Sequence, residues 1–390
     1  MDTGNVCLVS IFAGNSSEDN SRICNISDSI KSKNKIIISS DFLHGKKEYV
    51  VESERKNDIS YLHVPAYRKN LSFSRIYSHL IFAFKLRRYL KEITPASVYC
   101  AMPTSTAAYV CGKYCKRHGI KFVIDVIDLW PDSLIPVLND LNSKLLKTLL
   151  FPWKYITVQA YKMADIILAE SEKYAEYAAQ YNKKAPVYPV YLGVDKKKVE
   201  CLIAKCSTHI EKPNDEVWIC YGGNLGVSYD FETLIKGVSV LNGNYKYRLL
   251  FVGDGVCRQK VEELCLEYSI NVQITGFVDY GTFLKYLSFS DIAINIFKVD
   301  TKVVHSYKFN DYVATNCFVI NSLSGETAQM VEDYKVGLNF DFKDHPFDKV
   351  LLECFYHWDK YVEWKNNNDQ LIREVLDKNL IYAKIYKIFE

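Results

Sequence analysis

Short, mostly apolar runs alternate with amphipathic stretches along almost the whole chain. The runs at residues 6–12, 35–40, 97–100, 121–127, 166–170 and 187–190 have the length and composition of buried strands. Between them, residues 72–92, 104–118, 141–163 and 171–181 repeat their apolar positions at helical spacing. Gly119 stands where a helix C-cap belongs, and Phe151-Pro152-Trp153 predicts a kink or a split in the third of these helices. After residues 192–195 the pattern dissolves into a polar linker around Lys212-Pro213-Asn214-Asp215. It resumes with strands at 217–221, 247–252, 272–274, 291–297, 317–320 and 336–338. Helices are expected at 231–238, 256–269, 283–289 and 307–314, and most of the chain after Leu351 is helical in pattern. Strand–helix alternation predicts an α/β protein with parallel sheets covered on both faces. The break near Gly193 predicts two domains, 1–192 and 193–372, with a terminal helical segment over 373–390.

With 390 residues, 48% of them hydrophobic, the chain is large enough for two cores and too apolar to be disordered. No apolar run approaches the 18 or more residues that span a bilayer. The twelve cysteines are scattered and contain no CxxC pair. Buried reduced thiols are therefore expected, with no metal site and a cytoplasmic location. A net charge of +3 singles out no nucleic-acid partner, but the charge is unevenly spread. Up to Val190 there are 26 Lys and Arg against 18 Asp and Glu; the remainder carries 23 against 28. The helix over 72–92 sets Ile76, Leu80 and Phe84 on one face and adds Arg75, Lys85, Arg87, Arg88 and Lys91. It reads either as a core helix or as a contact with an anionic membrane surface. Lys144, Lys147 and Lys154 would extend such a patch.

Four stretches carry candidate chemistry. Gly14-Asn15 follows the first strand, at the end where ligands bind in doubly wound sheets, although an ordinary turn reads equally well there. The acidic string Asp125-Val126-Ile127-Asp128-Leu129-Trp130-Pro131 closes an apolar strand; its carboxylates face a crevice or cap the next helix. Gly222-Gly223-Asn224-Leu225-Gly226 joins a strand to a helix, a turn whose bare amides suit an anion. It is neither a P-loop nor a full dinucleotide fingerprint. Lys308 and Asp311 are three apart and share a helix face, matching a ligand with both phosphate and a sugar diol, or forming a plain surface ion pair.

The order of these pieces resembles the family 4 glycosyltransferases, in particular their bacterial surface-polysaccharide branch (O-antigen and capsule type). The resemblance rests on Ser306-Tyr307-Lys308-Phe309-Asn310-Asp311-Tyr312, on the Asp128-Leu129-Trp130-Pro131-Asp132-Ser133 string and on the Gly223–Gly226 turn, and it is weak before Ser97. It implies a GT-B fold, two Rossmann-like domains facing each other across a cleft, with the terminal helix crossing back to the first. It implies a retaining hexosyl transfer from a nucleotide-sugar, UDP-linked by expectation, to a lipid-linked glycan at the inner face of the membrane, with no metal cofactor. By the same resemblance the donor is held by Gly223, Asn224, Leu225, Gly226, Gly253 and Asp254. Gly276, Phe277 and Val278 cradle the base, Asp311 and Tyr312 lie at the ribose, and Gly325 and Glu326 approach phosphate or sugar. Lys308 steadies the leaving diphosphate, and Asp128 with Trp130, Gly14 and Asn15 meets the acceptor. One departure is plain: Val303 stands eight residues before Asp311, where most of the family has a glutamate for the donor sugar. A nucleotide-sugar 2-epimerase and a non-catalytic partner subunit are the alternatives.

Overall fold

The computed structural model describes residues 5–13, 21–30, 34–70, 72–134, 143–299, 301 and 303–389. The chain divides into two compact units, one formed by residues 1–191 with 382–390 and the other by residues 192–381.

In the first unit the strands are β1 (Val6–Val9), β2 (Lys35–Ser40), the short antiparallel pair β3 (Phe42–Leu43) and β4 (Glu48–Tyr49), β5 (Ile59–Leu62), β6 (Ser97–Ala101), β7 (Lys121–Val126), β8 (Ile166–Ala169) and β9 (Val187–Pro189). Seven of them form one parallel sheet in the order β5-β2-β1-β6-β7-β8-β9. The order reverses between β1 and β6, and their carboxyl ends mark the place where such sheets bind ligands. Leu8, Val98, Ile124 and Ile167 are fully buried, as continuous apolar strands covered on both sides require.

One buried charge pair fixes this core. Arg22 opens the helix Arg22–Ser29 and grips Asp125 of β7 with two hydrogen bonds, Nε to Oδ2 at 2.6 Å and Nη2 to Oδ1 at 2.7 Å. Its third group donates to the Val190 carbonyl at 2.5 Å, and the Tyr99 hydroxyl donates to the same carboxylate. Asp125 thus accepts three buried hydrogen bonds and is a structural group rather than a crevice group. The terminal segment adds Tyr382, Ile385 and Ile388 to the same core, and Lys121 Nζ donates to the Ile388 carbonyl at 3.0 Å.

The structure decides or corrects several of the sequence expectations. The helix Phe73–Ile93 turns Phe82, Leu86 and Leu90 inward, whereas Ile76, Leu80 and Phe84 are exposed and Phe73 is 91% exposed. Arg75, expected among the surface charges, is buried. The helix Ser143–Met163 runs unbroken through Pro152, which lies on its exposed side, so the lost hydrogen bond falls where water can replace it. Asp195, expected to lead into a linker, caps a helix over Lys196–Lys205 through the Lys198 amide at 3.1 Å.

The second unit contains β10 (Val217–Gly222), β11 (Tyr247–Val252), β12 (Val272–Gly276), β13 (Ile292–Asn295), β14 (Phe318–Asn321) and β15 (Gly337–Asn339). All are parallel, in the order β12-β11-β10-β13-β14-β15, so the reversal lies between β10 and β13. Asn295, Asn321 and Asn339 are in register across β13, β14 and β15 and hydrogen-bond side chain to side chain at 2.8 Å, a polar ladder closing the carboxyl edge. Among the described residues no helix is long and apolar enough to cross a membrane.

Candidate active site

The glycine turns of the second unit interlock because they have no side chains. A Cβ on Gly253 would stand 2.0 Å from the Gly223 carbonyl oxygen, and one on Gly255 would stand 2.5 Å from the Leu225 oxygen. The Gly223 amide donates to Val252 at 2.8 Å and the Leu225 amide to Asp254 at 2.9 Å, so two of the turn's N–H groups hold the turn itself. The helix Phe231–Val238 begins four residues after the turn and carries its own N-cap, Asp230, which accepts from the Thr233 amide at 3.1 Å. The anion-attracting character expected of that helix end is therefore partly taken up by Asp230, leaving the turn's own backbone to face a ligand.

Lys308 lies directly against this turn. It sits on the helix Tyr307–Ala314 that follows β13, and its Cε would be 3.1 Å from a Cβ on Gly223. Its ammonium donates to the Tyr221 hydroxyl and lies over the rings of Tyr229 at 3.5 Å and Tyr221 at 4.0 Å. The Tyr221 hydroxyl in turn donates to the Asn224 carbonyl at 2.8 Å, coupling the lysine to the turn. Among the described residues Lys308 has no carboxylate partner. With no anion beside it, burial holds its pKa well below the usual lysine value, and an arriving anion would favour its charged form.

One turn along the helix, Asp311 accepts a 2.7 Å hydrogen bond from the Tyr280 hydroxyl. Burial pushes its carboxyl up to about 7, and the Tyr280 bond pulls only partly against this. Tyr312 is fully buried: its hydroxyl accepts from the Gly222 amide at 3.0 Å and donates to the Ile294 carbonyl at 3.3 Å. It pins β10 to β13 beneath the turn and supports the ligand surface without forming it. Gly276 adopts φ +70° beside Arg258, and the neighbouring Phe277 is 88% exposed at the end of β12, next to Val278. Asp254 pairs with Arg258 at 3.1 Å, a cation that spacing did not single out. Lys236, the nearby cation in sequence, stands exposed in the last turn of its helix, at the end away from the glycine turn. Gly325 and Glu326 open the helix Glu326–Tyr334 beside Val304, whose carbonyl accepts from the Thr327 hydroxyl at 2.8 Å. Tyr221, Tyr229, Tyr280 and Arg258 carry no sequence pattern that marks them; only the fold brings them to the site.

In the first unit, Asp128 and Trp130 follow β7 at the carboxyl edge. Burial raises the Asp128 pKa, while bonds from Ser133 and the Leu129 amide oppose the rise. Trp130 lies edge-on to Trp153 at 5.5 Å. Lys154 points to Asp132 and Tyr177 rather than outward. Gly14 and Asn15 lie outside the described residues, as does the side chain of Lys144. A surface depression lined by Pro213, Asp215, Tyr247 and Asn271 opens at the opposite, amino-terminal edge of β10 and β11, away from every candidate group.

Residues 43–198 match the family model described as Glycosyltransferase Family 4. No curated protein matches the chain by sequence. Among solved structures, the chain is similar to sucrose-phosphate synthase from Thermosynechococcus elongatus (TM-score 0.73, 13% identity, 99% of this chain and 98% of that one). It is also similar to Anabaena HepE in complex with UDP (TM-score 0.70, 11% identity, 99% of each chain). A third is WaaG, a glycosyltransferase involved in lipopolysaccharide biosynthesis (TM-score 0.68, 11% identity, 98% and 99%). The chain's two parallel-sheet units therefore have the GT-B fold of these structures.

Proposed function

We propose that the protein is a retaining glycosyltransferase that moves a hexosyl unit from a UDP-sugar to a lipid-linked glycan in surface-polysaccharide assembly. The observation that carries this reading is the Lys308 ammonium, held by aromatic faces and short of a counter-anion, against the Gly223 backbone. A diphosphate supplies the missing charge. Asn224 and Gly226, whose amides find no backbone partner among the described residues, share its oxygens with Lys308, and this preorganised set stabilises the charge that grows on the leaving group. Asp311 takes the ribose diol, with Tyr280 steering its carboxylate. Phe277 and the Gly276–Val278 backbone receive the base, and Glu326 with Gly325 the donor sugar. HepE was solved with UDP and with UDP-glucose, which supports uridine as the base. In the first unit Asp128, whose pKa burial raises, would accept the acceptor hydroxyl's proton, and Trp130 would offer the acceptor sugar a face.

Membrane contact belongs to the same proposal. The helix Phe73–Ile93 exposes Phe73, Ile76, Tyr77, Leu80 and Phe84 next to Arg87, Arg88 and Lys91. The helix Ser143–Met163 exposes Leu145, Leu149, Phe151 and Tyr155. Exposed apolar groups beside cations suit the headgroup region of an anionic leaflet.

The test is a thermal-shift panel of UDP, GDP and their sugars, followed by turnover with lipid-linked acceptors. A nucleotide at about 100 times its dissociation constant stabilises by roughly 2.7 kcal/mol. No shift with any nucleotide overturns the reading; binding of UDP with no sugar transfer removes its catalytic part and leaves a binding subunit.

A further inference from the structure

The carboxyl edge of the first unit holds a buried arginine, with a half-buried lysine and two histidines near it, that the donor reading does not use. Arg75, in the first turn of the helix Phe73–Ile93, is 6% exposed. Its guanidinium lies 4.4 Å from the Trp130 ring centre, 5.7 Å from Phe12 and 5.8 Å from Tyr67. One Nη donates to the Asn70 carbonyl at 2.9 Å, yet its Nε is buried with no hydrogen-bond partner among the described residues. It makes no ion pair there either; the Tyr67 hydroxyl and the charge of Asp128 act on it against its burial.

The surroundings repeat the pattern. Lys47 Nζ is held by Asn70 Oδ1 at 2.6 Å and His44 Nδ1 at 3.3 Å, over the Tyr67 ring at 4.9 Å. His44 also meets the Tyr67 hydroxyl at 2.6 Å. His79 is 5% exposed, 5.9 Å from Phe12 between ring centres, and its Nε2 has no partner among the described residues. Burial and the charge of Arg75 push His44 down to about 4 and His79 to about 3, so both imidazoles are neutral and sense a positive field.

A guanidinium walled by three aromatic rings, with an N–H left unmade, is an expensive arrangement for a structural residue. Its planar edge matches two oxygens of a tetrahedral anion. The contributing residues come from the segments after β1, β2, β5 and β7, at the same carboxyl edge where parallel sheets bind ligands. We propose that Arg75, Lys47 and His79 of the first unit form a binding site for a phosphate-ester oxyanion. On the transferase reading above, that oxyanion is the acceptor's own phosphate, which makes Arg75 a specificity-determining residue; the binding itself does not depend on that reading.

The experiment titrates inorganic diphosphate and geranyl diphosphate by calorimetry into the full chain with Lys308→Met as background, so that only this site reports. UDP is titrated separately into Arg75→Met in the otherwise native chain. Arg75→Met added to the Lys308→Met background is expected to weaken both diphosphates at least tenfold, while UDP affinity for Arg75→Met stays within twofold of native. Tighter binding of the geranyl compound than of the inorganic ion identifies a lipid-linked source; equal binding identifies a soluble phosphate. Diphosphate affinity unchanged by Arg75→Met overturns the proposal, as does equal weakening of UDP. Should Arg75→Met fail to fold, Lys47→Met is read by the same criteria. Loss of UDP binding in the native chain would instead count against the donor reading and leave this one standing.

Discussion

The Lys308 ammonium stands 3.5 Å from the centre of the Tyr229 ring and finds no carboxylate among the described residues. Aromatic faces hold a cation weakly compared with an anion, by about 0.5–2 kcal/mol. The arrangement keeps the charge in place without neutralising it.

Lys308→Met separates binding from stability. The methionine keeps the packing against Tyr221 and Tyr229 and removes a buried charge, so the melting temperature without ligand is expected to hold or rise. UDP affinity should drop by roughly tenfold to a hundredfold, the worth of one charge-assisted bond of about 1.5–3 kcal/mol. Calorimetry and a melting curve on the same sample check both halves.

The Asp311 carboxyl, pushed up to about 7, gives nucleotide binding an acidic limb. Only the ionised form accepts both ribose hydroxyls, so affinity should be about tenfold lower at pH 6 than its plateau above neutrality. For stability the sign is the reverse. The folded pKa lies above the unfolded one, so this group's contribution is lost as pH rises through 7. Asp311→Asn is expected to flatten both profiles and to be the more stable protein at pH 8. A UDP titration series from pH 6 to 8.5 that shows no acid limb would dismiss the ribose role.

Gly253→Ala places a methyl group 2.0 Å from the Gly223 oxygen, at a φ of +148° that side chains avoid. A stability loss of about 1–3 kcal/mol in urea is expected, together with a reduced UDP shift, because the two turns must part. Gly45→Ala, which meets open space, serves as the neutral control.

Breaking the Arg22–Asp125 pair from one side strands a buried charge. Arg22→Met should cost about 3–5 kcal/mol in chemical denaturation of the first unit, and the double change with Asp125→Leu should recover much of that. Equal losses in the single and double variants would show that shape rather than charge is at stake.

Arg87→Ala and Arg88→Ala remove cations beside the exposed Phe84, over whose ring Arg88 lies at 4.4 Å. Each should weaken binding to anionic vesicles about fivefold, from roughly 1 kcal/mol per residue. Binding to vesicles that is indifferent to both would remove the membrane contact.

The alternation of apolar runs and helical patterns was readable because buried parallel strands are apolar on both faces, as at Leu249–Leu250 and Val319–Ile320. The helix carrying Lys308 and Asp311 begins and ends where its pattern predicts. The early strand Ile59–Leu62 and the helix Lys196–Lys205 escaped because their residues are only partly buried and look like loop. The pattern of Phe73–Ile93 leaves its inward face open because exposed and buried positions are both apolar there. Site partners such as Tyr280 and Tyr229 are unreadable in principle from one chain. Their distance from Asp311 and Lys308 exists only after the sheet order has brought their segments together.

Residues 382–390 finish the first unit although 190 residues of the second are made before them. At about 5–20 residues per second, translation leaves the first unit waiting roughly 10–40 s for its final segment. During that interval the seats of Tyr382, Ile385 and Ile388 stand empty on the nascent chain. The unit that begins first on the ribosome is thus the one sealed last, and premature termination within the second half would leave both halves of the molecule unsound.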